Sequence, residues 1–371
     1  MIGIITMHKV LNYGSALQAY ALQQKLLSMG HDNELIDYAF PYPVKYSFSV
    51  KKTFKRIIVF LRNAIAGFPK ERREKKFQQF YKKNFKESKS YYTLDSIALN
   101  PPKYDAYITG SDQVWNPRFA GNDPNFLLAF APDEKPKFSY AASFATIEID
   151  EEKRSFYSHY LSRYDRLSVR EITGVDIIKS LTNKDASVNL DPTLLLPANM
   201  WDSLALQASL TLKYKYVLVY VLDYMIGRVF DDVQKITDYV SKVLGIRVVY
   251  LMGRKEDAFR PNSILYKSGG PAEFVYLFKN AEFVITTSFH GVAFSVIYDK
   301  PFLGVINKDD KRDSRIQSLL MAVGANNSIW DYRKIPSGGK EELLSFKANQ
   351  SLVDKERQKS EKYLNEIFEL I

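Results

Sequence analysis

Short, wholly apolar segments alternate with helix-period stretches along this chain, and that order constrains its fold more than any other feature. Residues 2–7, Ile-Gly-Ile-Ile-Thr-Met, read as a buried strand. Residues 15–29 then place Leu17, Tyr20, Ala21, Gln24 and Leu27 near 3.6-residue spacing before Gly30 ends the helix. A second strand is predicted over 34–38. A chain that opens strand, loop, helix, strand builds a parallel sheet through right-handed crossovers, so the fold class is α/β. Further strands are predicted at 104–109, 137–143, 166–169 and 187–190, with a helix over 150–164. Pro192 and Pro197 then favour extended backbone and a hinge near 191–205. A second βα run follows, with strands at 216–222, 247–252, 283–286 and 302–305 and helices at 229–244, 272–280 and 290–298. The expected organisation is one domain over 1–195 with a basic insertion at 51–89, a second over 205–335, and a charged helix within 340–371 that packs back on the body. At 371 residues the chain suits two such domains.

Composition narrows the chemistry. With 46% hydrophobic residues, 25 Tyr and 24 Phe, the chain can bury enough apolar surface to order itself. It has no cysteine, which excludes disulfides, thiolate nucleophiles and Cys-ligated metal centres. Its four histidines, His8, His31, His159 and His290, show no metal-ligand spacing, so no metal is expected. The formal charge is +10, yet residues 51–89 alone carry +11 and the remainder sums to −1. Such localised charge favours contact with a membrane or another polyanion over broad nucleic-acid binding, and no nucleic acid is expected as partner. Ile57, Ile58, Phe60, Leu61, Ala64, Ile65 and Phe68 lie among Lys51, Lys52, Lys55, Arg56 and Arg62, the composition of an interfacial amphipathic helix. The same apolar residues could instead dock on the first domain. The first residues lack a basic region ahead of their apolar run and no segment is long enough to span a bilayer, so a cytoplasmic protein, free or peripheral on the inner face of the membrane, is expected.

Ligands of open parallel sheets bind beyond the carboxyl ends of the strands. The polar residues at those ends are Asn12-Tyr13-Gly14-Ser15, Gly110-Ser111-Asp112-Gln113, Arg170-Glu171 and Asp191-Pro192. Each alone could be a turn or a cap. The sharpest constellation is residues 285–291, Ile-Thr-Thr-Ser-Phe-His-Gly, where an apolar strand runs into a helix. Ser288 is the natural N-cap and His290 falls in the first turn, where free N–H groups attract an anion. A histidine that only hydrogen-bonds across a cleft is the alternative. Lys308, Lys311, Arg312 and Arg315 follow the next strand, and arginine there can bind carboxylate or phosphate.

Together these segments resemble the polysaccharide pyruvyl transferases. The resemblance is carried by Asn12-Tyr13-Gly14 with Leu17-Gln18-Ala19-Tyr20, Gly110 to Asn116, Tyr140-Ala141-Ala142-Ser143-Phe144, Ser168-Val169-Arg170-Glu171, Asp191-Pro192-Thr193 and Thr287 to Gly291, over residues 1–330. Ala145 departs from the glycine that family members often carry. The resemblance implies two Rossmann-like domains facing a cleft, GT-B-like, and transfer of pyruvate from phosphoenolpyruvate to a sugar diol as a cyclic ketal, without a further cofactor. It implies His290 as the catalytic histidine and Arg170 as a donor-binding cation. Arg315, Ser288 and Gly291 join the donor side, Asp112 orients an acceptor hydroxyl or His290, and Asn12, Tyr13, Gly14 and Ser143 are expected at the acceptor. The partners would be phosphoenolpyruvate and a glycan, lipid-linked if residues 51–89 touch an anionic membrane. A sugar-nucleotide glycosyltransferase on the same fold, or a glycan- or lipid-binding protein without catalysis, remain alternatives.

Overall fold

The computed structural model describes residues 1–38, 69–222, 230–307 and 314–371. Residues 51–68 of the basic segment, and Lys308, Lys311 and Arg312, lie outside the described residues.

The first sheet contains β1 (Ile2–Ile5), β2 (Asn33–Leu35), β3 (Ala106–Thr109) and β4 (Lys137–Ser139), all parallel, in the order β2-β1-β3-β4. The pair β5 (Leu167–Val169) and β6 (Ala186–Val188) continues it through bridges at Phe138–Arg166 and Ala142–Val169. The second sheet contains β7 (Tyr216–Tyr220), β8 (Arg247–Leu251), β9 (Ser263–Tyr266), β10 (Phe283–Thr286), β11 (Phe302–Ile306) and β12 (Ile329–Asp331), in the parallel order β9-β8-β7-β10-β11-β12. That is the order of a doubly wound dinucleotide-binding sheet, reversing direction between β7 and β10. The central strands are buried along their length because helices cover both faces, which explains their unbroken apolar runs. The edge strands β9 and β12 were not expected from sequence. Ser263–Tyr266 is only half-buried, so it lacks the continuous apolar signal of a central strand.

Helix α1 (Tyr13–Ser28) starts two residues earlier than its periodicity suggests, because Asn12 caps it by accepting from Gly14 N–H at 2.8 Å and Ser15 N–H at 3.3 Å. Helix α2 (Pro69–Asn84) is the described part of the basic segment, and it buries Phe77, Phe80 and Tyr81 on one face. These side chains belong to an apolar core continuous across the two sheets, with Tyr13, Trp201, Phe274 and Phe294. Within it the Tyr13 ring stacks on Phe274 at 4.9 Å and the Tyr13 hydroxyl donates to the Gly269 carbonyl at 2.9 Å. Lys76 of α2 pairs with Glu273 at 2.6 Å. After a single 3-10 turn at Pro192–Leu195 the chain enters the second half. The final helix, Gln350–Phe368, returns to the first sheet, where the Tyr363 hydroxyl donates to Ser139 O at 2.8 Å and Ser360 Oγ accepts from Leu190 N–H at 2.9 Å. No helix among the described residues is long and apolar enough to cross a membrane.

Candidate active site

The carboxyl ends of β1 and β3 face the carboxyl end of β10, so the switch points of the two sheets meet. From β10 the chain passes through Thr287 and Ser288 into a nine-residue helix, Phe289–Ile297, and Ser288 Oγ accepts from Gly291 N–H at 3.4 Å. Gly291 is required by crowding: a Cβ there would stand 2.2 Å from Thr286 Oγ1. His290 points from the first turn toward the other half of the molecule and rests against Gly14, where a Cβ would stand 2.0 Å from the imidazole Nδ1.

Behind the imidazole lies a buried charge network. His290 Nε2 is 3.5 Å from Asp191 Oδ2, which also receives Arg170 Nη1 at 2.8 Å and the Ser111 hydroxyl at 2.9 Å. Asp191 Oδ1 accepts from Thr193 N–H at 3.0 Å and from the Thr193 hydroxyl at 2.7 Å. Burial alone would raise the Asp191 carboxyl, but the neighbouring His290 and Arg170 outweigh it and hold it well below the usual carboxylate range. Burial likewise opposes charge on Arg170, yet Asp191 and Asp112 outweigh it and raise that guanidinium. Its Nη2 is 3.8 Å from Asp112 Oδ1, and the guanidinium lies over the Phe289 ring at 4.3 Å. Asp112 Oδ2 accepts from the Ser15 hydroxyl at 2.5 Å. Asp112 has φ +77°, and Ala141 and Ala145 nearby have +49° and +51°, so three non-glycine residues occupy left-handed backbone around one site.

Two compartments open on this network. The narrower, about 190 Å³, is lined by His290, Ser288, Thr287, Asn12, Asp112, Arg73 and Arg315. The wider, about 690 Å³, is lined by Lys9, Ser15, Gln113, Arg118, Phe119 and Ala145 and shares Asn12, Asp112 and Arg315 with the first. His290, Asp112, Ser288, Arg315 and Asn12 are thus brought together at the cavity, with Gly14 and Gly291 packed directly behind them.

Three expected site residues sit elsewhere. The Arg170 side chain is 1% exposed and lies behind the cavity wall, its charge engaged by carboxylates. Tyr13 is enclosed in the core between the sheets. Ser143 is fully buried and donates to Glu171 Oε1 at 2.9 Å; that oxygen also accepts from Phe144 N–H at 3.0 Å and Ala145 N–H at 3.2 Å. Glu171 therefore shapes the loop that presents Ala145 to the wider compartment, and Ala145 holds a left-handed φ of +51° there, backbone that glycine adopts most easily. Two further residues of this network and cavity were not assigned a role from sequence: Asp191 was left open between a ligand group and a hinge or cap acceptor, and Arg73 was one cation among many in a basic run.

One further convergence, His8, Asp37 and Glu87, has the donor types of a cation site. Lys9 already joins it, with Nζ 2.8 Å from Asp37 and 3.1 Å from Glu87, and His8 Nε2 is 2.9 Å from Glu87.

A family model of polysaccharide pyruvyl transferases matches residues 12–309. The chain belongs to that family. The cleft motifs of this pyruvyl transferase family member, from Asn12 to Gly291, all fall within the matched span. Among solved structures, the chain is similar to UDP-GlcNAc 2-epimerase from Methanocaldococcus jannaschii in complex with UDP-GlcNAc and UDP, with a TM-score of 0.52 and 12% identity over 96% of this chain and 93% of that one. It is also similar to UDP-GlcNAc 2-epimerase from Neisseria meningitidis bound to UDP-GlcNAc, with a TM-score of 0.50 and 10% identity over 98% and 99%. At such identity the likeness shows the fold alone, the GT-B arrangement of two Rossmann-like domains. No curated protein sequence matches significantly.

Proposed function

We propose that this pyruvyl transferase moves pyruvate from phosphoenolpyruvate onto two hydroxyls of a sugar in a surface-polysaccharide precursor, forming a cyclic ketal. The observation that carries the reading is the pairing of a narrow compartment at His290 with a wider one, joined at Asp112. The donor occupies the narrow compartment, its anionic groups facing the start of the His290 helix and the arginines. His290 delivers a proton to the donor methylene, and C2 becomes electrophilic. A sugar hydroxyl in the wider compartment attacks C2 while Asp112 accepts its hydrogen bond. The C2–O bond to phosphate breaks, and a neighbouring hydroxyl closes the ring. Of the two hydroxyl protons, one is balanced by the new methyl group and the other leaves with phosphate. Asp191 and Arg170 act as positioning residues: the carboxylate aims Nε2 of His290, and the guanidinium fixes the carboxylate.

The reading extends to a lipid-linked acceptor at the cytoplasmic face of the membrane, supported by the concentration of +11 in residues 51–89. Sedimentation with anionic vesicles at low salt tests that part, and failure to sediment points to a soluble acceptor. The reaction itself is tested by incubating the protein with phosphoenolpyruvate and candidate glycans. The expected result is an acceptor mass gain of one pyruvyl ketal with equimolar phosphate release. Stabilisation by sugar nucleotides with none by millimolar phosphoenolpyruvate would instead favour glycosyl transfer.

A further inference from the structure

Arg170 is enclosed by Asp191, Asp112 and Phe289, so the cation that meets a donor must come from elsewhere. Arg73 of α2 lines the narrow compartment although it belongs to the basic segment. Its guanidinium is held over the Tyr13 ring at 5.0 Å and near the Phe77 ring at 5.4 Å, and Nη2 donates to the Leu11 carbonyl at 2.7 Å. Those contacts fix its position without neutralising it. Among the described residues no carboxylate pairs with Arg73, and its Nε is buried with no acceptor. An arginine has five N–H donors, and the Leu11 carbonyl and the Tyr13 hydroxyl engage Arg73 while its buried Nε meets no acceptor among the described residues. A cation fixed on aromatic rings, with a buried donor left over, lining a cavity that a helix N-terminus also lines, is complementary to a phosphoryl group.

We propose that Arg73 binds the phosphoryl oxygens of the anionic donor, so that the basic segment contributes to the active site itself. The proposal rests on the donor reading above and adds the residue that holds the leaving group. It explains why α2 is clamped to the second half by the Lys76–Glu273 pair: the clamp fixes the distance between Arg73 and the His290 helix.

The test is binding of inorganic phosphate and, separately, of pyruvate, measured by calorimetry on the full chain. Arg73→Gln should weaken phosphate binding about tenfold to a hundredfold, the range of one charge-assisted hydrogen bond, and leave pyruvate binding unchanged. Arg73→Lys should recover part of the loss. Arg73→Met, which keeps an unbranched stem on Tyr13, serves if the glutamine variant does not fold. A residue that only supports Tyr13 would lower the unfolding midpoint and leave the phosphate Kd unchanged, and that result in either folded variant overturns the proposal. Selective loss of pyruvate binding overturns it too, by assigning the cation to the carboxylate. Because phosphate binding is read without transfer, absence of ketal formation in the wild type would reject the donor reading and leave this measurement intact.

Discussion

Gly14 and His290 come from different halves of the molecule, yet a single added methyl on Gly14 would stand 2.0 Å from Nδ1 of the imidazole. The glycine is therefore the surface against which the histidine is aimed. Gly14→Ala should keep α1, since alanine favours helix, but it must push the ring off its line to Asp191. We expect kcat to fall roughly tenfold to a hundredfold with an unchanged far-UV spectrum, on the scale that small misplacements of a catalytic group produce. Wild-type turnover in a folded Gly14→Ala variant would show that the ring's position is not limiting.

His290→Ala should lower turnover by roughly a hundredfold or more if the ring transfers the proton. The double variant Gly14→Ala with His290→Ala should be no slower than His290→Ala alone, because both changes act on one group. Additive losses would mean that Gly14 acts through something other than the imidazole.

Asp191 carries the pH argument. Burial raises its carboxyl, but His290 and Arg170 outweigh burial and depress it, so the unfolded chain binds that proton more readily than the folded one. Its contribution to stability is fully present above the ordinary carboxylate range near about pH 4 and is lost as pH falls below it. Asp191→Asn leaves Arg170 buried beside a neutral partner and should destabilise the protein by about 3–5 kcal/mol at pH 7. The gap between variant and wild type should begin to shrink only below about pH 4. Denaturant midpoints measured from pH 3 to 8 check this, and a gap that closes near neutrality would contradict the assignment.

The Lys76–Glu273 clamp yields a stability prediction with a salt signature. Glu273 accepts from Lys76 at 2.6 Å, from Ser209 N–H at 3.1 Å and from Gly270 N–H at 2.8 Å. Burial raises its carboxyl, and Lys76 with the Ser209 hydroxyl and N–H outweigh burial and lower it. Lys76→Met removes one donor of several and should destabilise by about 1–3 kcal/mol, less as salt rises. Equal midpoints for wild type and variant at low ionic strength would exclude the clamp as a support.

Much of this site could be seen in the chain because local rules and function coincide there. Ser288 caps a helix, and the same turn sets His290 at the cleft, so one pattern reveals both. The central strands were legible because both faces are buried, whereas half-exposed β9 gave no continuous apolar run. The family resemblance made Arg170 a donor ligand, and sequence shows an arginine at a strand end but not the two carboxylates, Asp112 and Asp191, that close on it. Tyr13 and Ser143 were misplaced at the acceptor for the same reason: their partners Gly269 and Glu171 are brought by the fold rather than by neighbouring sequence. Arg73 was hidden by composition, since a residue in a run of cations is distinguished only by the one face of α2 that turns inward.

Transfer should survive EDTA. Among the described residues the narrow compartment offers one imidazole and one carboxylate, His290 and Asp112, and the latter is already bound by the Ser15 hydroxyl and faced by Arg170. A divalent ion placed beside the Arg73 guanidinium would meet repulsion rather than a ligand set. The convergence of ligand-type groups found among the described residues, His8, Asp37 and Glu87, carries its own ammonium in Lys9, which a metal would have to displace. Arginines and a helix N-terminus can neutralise a departing phosphate as a bound ion does in other enzymes. Ketal formation measured before and after exhaustive chelation should therefore agree within error. Activity abolished by EDTA and restored by magnesium or manganese would overturn this, and would single out the His8 cluster for substitution.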